Sequence, residues 1–66
     1  MTRVRITCPP RYNVRDARML RATCARCGTV GPLSKHRPWA FDWTPAAPTL
    51  TAWLIMATGA NVEDLP

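Results

Sequence analysis

The sequence predicts a small α+β domain of zinc-ribbon type: a β-hairpin with a metal-binding knuckle, followed by one C-terminal helix. Three observations lead there. The stretch TCARCGTVGP, residues 23–32, sets two cysteines two residues apart and runs straight into glycine. The chain has 66 residues, and a chain of that size buries only about 60% of its unfolded surface, so a staple such as a bound metal is expected. The apolar residues also recur every second position in two segments and with a helical period in a third.

Taken in order, residues 3–8, RVRITC, alternate Arg3 and Arg5 with Val4 and Ile6, the pattern of a half-buried strand. Pro9 and Pro10 stop it. Asn13 with Asp16 three residues on is a partial capping box. After it, VRDARMLRA fits a short helix, but residues 18–24 are read as a second strand leading into the cysteines. CGTVGP reads as a turn, because glycine and proline punctuate regular structure. PWAFDW sets Trp39, Phe41 and Trp43 on one face of a strand. From Pro48 to Thr58 the period is helical, with Leu50, Trp53, Leu54 and Ala57 on one side and Gly59 as the stop. Trp53 and at least one of Trp39 and Trp43 are expected in the core. The tail NVEDLP resembles the start of a further helix without the length to complete one.

A single domain is expected, residues 1–66, with a basic metal-binding part at 1–37 and an aromatic strand, helix and acidic tail at 38–66. Arg3, Arg5, Arg11, Arg15, Arg18, Arg21, Arg26, Lys35 and Arg37 all precede residue 38, opposed only by Asp16. Asp42, Glu63 and Asp64 follow with no cation, so a half of charge +8 adjoins one of −3. Such asymmetry points to a polyanion-facing surface, and the nine cations are the candidate nucleic-acid contacts. Arginine outnumbers lysine eight to one; this is the bias of a GC-rich genome, such as that of an actinobacterial or phage source, and carries no functional weight.

The start, MTRVRITCPP, shows no apolar segment and no small-residue cleavage site, so a cytoplasmic location is expected. The most apolar run, LTAWLIMATGA, is too short to cross a bilayer, and no membrane partner is expected. In a reducing compartment close cysteine pairs serve more often as metal ligands or catalysts than as disulfides. A redox C-x-x-C belongs at a helix start in a larger fold. The metal reading of Cys24 and Cys27 therefore leads. A closed structural zinc site needs four donors, and the other Cys and His available are Cys8 and His36. The expected cofactor is one Zn2+ held by Cys8, Cys24, Cys27 and His36. Alternatively Cys8 is a small buried hydrophobe and His36 a surface residue between two cations.

Residues 8–9 (CP) and 24–32 (CARCGTVGP) resemble the small restriction-alleviation (Lar-like) zinc ribbons of phages and bacteria. Their pattern is a C-P-x-C-G knuckle, two strands, a C-x-x-C-G-x-x-G-P knuckle and a helix with Ala-Trp, here Ala52-Trp53. Arg11 stands where the first knuckle would have its second cysteine, so His36 would substitute. The resemblance implies a role in binding and blunting host restriction enzymes.

Enzyme function is not expected: no nucleophile–base pair, clustered carboxylates or glycine-rich phosphate loop is evident, and no small-molecule substrate is implied. Two readings of function remain. One is a zinc module that binds nucleic acid or nucleic-acid-handling host machinery. The other is an adaptor or inhibitor that meets a host protein through Trp39, Phe41 and Trp43.

Overall fold

The fold is described from a computed structural model, over residues 2–35 and 38–66. Six elements follow one another: β1 (Val4–Thr7), α1 (Val14–Ala25), β2 (Gly28–Leu33), β3 (Ala40–Pro45), α2 (Thr49–Thr58) and β4 (Asn61–Asp64). The strands form one antiparallel sheet in the order β2-β3-β1-β4. A β-α-β-β-α-β chain with β1 and β3 at the centre is the split β-α-β topology.

Alternation along the two central strands decides which side of the sheet is covered. Val4 pairs with Trp43 and Ile6 with Phe41, so four large apolar side chains share one face. All four are buried, and the same cluster takes in Ala17, Leu20 and Cys24 of α1 and Leu54 of α2. Both helices therefore lie on this face. The other face carries Arg5, Asp42 and Glu63, which are aligned across β1, β3 and β4.

Local chemistry sets the ends of the helices. Asn13 and Asp16 form a full capping box: the Asn13 side chain accepts from the Asp16 amide at 2.9 Å, and Asp16 accepts from the Asn13 amide at 3.5 Å. Two of the donors left open at a helix start are thereby satisfied. Buried Ala17, Leu20 and Cys24 follow the i, i+3, i+7 spacing of one helical face. Gly59 ends α2 in the left-handed region, φ 70°, its amide donating to Ile55 at 2.8 Å. Any residue with a Cβ is strained there.

β2 and β4 are the edge strands. In β2 the register with β3 slips between Val30 and Leu33, where Gly31 and Pro32 lie. Proline removes an amide from the outer row and suits an edge. β4 is four residues long and bears Glu63 and Asp64. Short, charged or interrupted edges resist further strand pairing.

Several expectations are corrected. The described residues form two helices and four strands, not a hairpin with one helix. Residues 18–24 belong to α1, because the capping box starts a helix that runs to Ala25. From Gly28 onward the CGTVGP stretch is strand β2, not a turn, and Gly28 serves close approach to β3. A Cβ at Gly28 would collide with the Thr44 carbonyl oxygen and lie 3.0 Å from the Trp43 indole nitrogen. The tail forms β4 along β1, so it does not begin another helix. Trp53 is half exposed, because α2 turns only Leu54 fully inward. The strands 4–7 and 40–45 and the helix from 49 to 58 stand where the sequence places them.

Substituting Gly28→Ala is expected to force β2 away from Thr44 and destabilise the fold by about 1–3 kcal/mol. A denaturant melt reads this as a lower midpoint at unchanged slope.

Candidate functional site

Cys8 stands at the end of the first strand, as expected, whereas Cys24 and Cys27 are reached from a helix and not from a strand. Cys8 follows β1, and its amide donates to the Trp39 carbonyl at 3.1 Å, just before β3 begins. Cys24 is in the last turn of α1, and Cys27 lies in the turn after it, its amide donating to the Cys24 carbonyl at 2.9 Å. The Cys27 carbonyl accepts from Ala46 at 2.8 Å, beyond the far end of β3. At about 3.3 Å per strand residue, roughly 20 Å of β3 separates the two backbone anchors. Cys24 points into the core.

Cys8 and Cys24 are buried members of the core, and Cys27 is half-buried. All three thiols are free. Burial pushes the Cys8 thiol up, and burial together with neighbouring Cys27 and Cys8 pushes Cys24 up to about 12 from an ordinary 9.0. A helix C-terminus, with its partial negative charge, also disfavours thiolates. Reactive cysteines occupy the opposite setting, so a nucleophilic or redox Cys24 has no support. Among the described residues, no group of three or more His, Cys, Asp or Glu side chains is arranged to hold a metal ion. His36 and Arg37 lie outside the described residues.

The cations separate into two classes. Arg3 and Arg5 converge on one carboxylate: Arg3 Nη2 meets Asp42 Oδ2 at 3.0 Å and Arg5 Nε meets Oδ1 at 2.9 Å. The bond and charge of Asp42 raise the Arg5 pKa, with Glu63 adding to the effect. Arg11 donates to the Thr58 carbonyl at 2.8 Å and covers the Tyr12 ring. Arg21 donates to the Gly31 carbonyl at 2.7 Å and so ties α1 to the β2 edge. These four hold the fold. Arg15, Arg18, Arg26 and Lys35 are exposed, and their side chains make no hydrogen bond or ion pair with the described residues.

Helix geometry gathers three of the unengaged cations. At 100° per residue, Arg15 and Arg26 fall within about 20° of each other and Arg18 about 60° to one side. Arg26 keeps helical dihedrals at the end of α1, so it continues the line. They form a ridge opposite Ala17, Leu20 and Cys24, roughly 16 Å long at 1.5 Å per residue. No carboxylate interrupts it, since Asp16 is turned toward the cap and the groove between α1 and α2.

The aromatic set is divided differently from the expectation. Phe41 and Trp43 are buried under the helices and Trp39 packs against the same core, so Phe41 and Trp43 offer no surface to a partner. The Trp43 indole N–H has no hydrogen-bond partner among the described residues. The open face of the sheet bears no strand aromatic and hence no base-stacking platform of the kind sheet-type RNA binders use. Sequence reasoning missed Asp42 as the partner of Arg3 and Arg5, although it alternates with the buried Phe41 and Trp43. It also missed the outward apolar side of α2, signalled by ten consecutive residues without a charge.

No known protein family, curated protein or solved structure matches the chain.

Cys24 makes stability pH-dependent at the alkaline end. An unfolded chain releases this proton near 9.0, whereas the folded one keeps it until about 12. Its contribution is complete below pH 9.0 and is lost as pH rises toward about 12. Chemical melts across that range are expected to show falling stability, and Cys24→Ala to flatten the fall.

Proposed function

We propose that this chain is a non-catalytic basic module that binds the phosphate backbone of a nucleic acid through the outer ridge of α1. The observation that carries the reading is the line of Arg15, Arg18 and Arg26, which no carboxylate neutralises. Arginine fits phosphate well because its planar fork donates two parallel hydrogen bonds. Backbone contact without base stacking implies little dependence on base sequence. A phage or mobile-element regulator acting at nucleic-acid-handling machinery fits such a module, and the anti-restriction role implied by the resemblance belongs to the same context.

The nine cations of the sequence do not act alike in this reading. Arg3, Arg5, Arg11 and Arg21 are structural, and the ridge binds. Three phosphate contacts imply a slope of log affinity against log salt of about −3 on duplex DNA. Fluorescence anisotropy with a labelled mixed-sequence oligonucleotide tests this at low salt. The combined change Arg15→Gln, Arg18→Gln and Arg26→Gln is expected to remove most binding while leaving the melting curve in place. Asp42→Asn, which frees Arg3 and Arg5, is expected to strengthen binding. Absence of any binding by the wild-type chain at low salt would sink the proposal.

A second reading keeps zinc. It is favoured by the tight turn that follows Cys24, in which the Cys27 amide donates to the Cys24 carbonyl at 2.9 Å. Zn2+ would take Cys24 and Cys27 as thiolates. Of the other two expected donors, Cys8 is anchored at the opposite end of β3 and would have to move to join them, and His36 lies outside the described residues. The pH signature then reverses, because thiolate ligands are lost to protons on acidification. The expected outcome is one zinc per chain after purification, a lower melting temperature with chelator and loss of the metal in Cys27→Ser. A metal-free chain indifferent to chelator leaves the cysteines as core packing alone.

A further inference from the structure

We infer that the outward side of α2 is a self-association surface, on which a second copy of this chain docks as an antiparallel two-fold dimer. α2 covers the core with Leu54 alone among its fully buried residues. Met56 is 88% exposed, Trp53 50% and Ile55 45%, and Met19 of α1, 64% exposed, stands beside Trp53 across the groove between the helices. At roughly 200 Å² per large side chain, these four expose on the order of 500 Å² of apolar-rich surface. Exposed Thr49, Ala52 and Ala57 enlarge the patch. A standard interface takes about 800 Å² from each partner, so this patch supplies most of one half.

Charge permits a second copy on this face and on no basic one. The chain carries +5, and two copies brought together through the α1 ridge would set arginine against arginine. α2 holds no charged residue from Thr49 to Thr58. It is a surface on which like-charged chains can meet without placing cations in contact.

Shape agrees with a two-fold contact. Ala52 and Met56 are one turn apart on the outermost line of α2, with Trp53 and Ile55 to either side. An axis passing between Ala52 and Met56 of two antiparallel helices seats Met56 of one copy over Ala52 of the other, twice. Such isologous pairing uses the same patch on both chains and closes at two. The flexible thioether of Met56 fills the hollow that a small Ala52 leaves.

The test is the mass of the full chain in solution without nucleic acid, by sedimentation equilibrium over a wide concentration range at physiological and at high salt. The expected result is a shift from 7.4 kDa toward twice that mass as concentration rises. Association should tighten with salt, because salt screens the repulsion and does not weaken apolar contact. Met56→Glu and Ala52→Glu are each expected to raise the dissociation constant at least tenfold with circular dichroism unchanged, while Met56→Leu preserves it. The ridge variants should dimerise as the wild type does. In the oligonucleotide titration the dimer roughly doubles the salt slope, to about −5, and Met56→Glu returns it to about −3. Oligonucleotide binding thus survives a failure of the dimer, and dimerisation survives a failure of the ridge. A wild-type chain that stays at monomer mass at every concentration and salt overturns the inference. So does unchanged dimerisation by Met56→Glu, or a monomer whose α2 is covered only on adding anionic lipid vesicles.

Discussion

The sheet has one face that cannot be left wet. Val4, Ile6, Phe41 and Trp43 are brought side by side by the pairing of β1 with β3, and each large apolar group covered contributes on the order of 1.5–3 kcal/mol. Two helices are needed to cover that face, and the need fixes most of the remainder. α1 must present Ala17, Leu20 and Cys24 inward, so its arginines are turned outward into a line. α2 reaches the core with Leu54 and, in part, Leu50, so Trp53, Ile55 and Met56 stay in solvent. Both candidate contact surfaces are thus by-products of how the same four strand residues are shielded.

That logic also limits what the charge pattern means. A count of nine cations in one half suggests a broad basic surface, but the fold engages Arg3 and Arg5 with Asp42 and ties Arg11 and Arg21 to backbone carbonyls. Charge from the acidic half returns to the basic half through strand pairing, because β3 and β4 flank β1. The surviving basic feature is narrower and better ordered than the sequence implies. It resides on one helix.

How much was legible follows the strength of each local signal. The strand around Val4 and Ile6 and the strand around Phe41 and Trp43 were readable, because strict alternation survives half-burial. The α2 boundaries were readable from Pro48 and Gly59. Its inner face was readable at Leu50 and Leu54 but not at Trp53 and Ala57, because a helix without a charged side gives nothing to mark the outside. Residues 18–24 carried a correct signal in Asn13 and Asp16, which the cysteine spacing overrode. Gly28, Gly31 and Pro32 have turn composition, yet close approach to Thr44 and an edge position explain them in a strand. β4 has one inward apolar residue, Val62, paired opposite Ile6. Nothing short of the register with β1 reveals it.

The interruption of β2 at Gly31 and Pro32 has a bearing on how the molecule behaves when crowded. A four-stranded layer with two open margins invites stacking of strands from chain to chain into fibrils. Here one margin is broken by an imino acid and the other is brief and negatively charged. Growth by strand addition is therefore disfavoured at both borders.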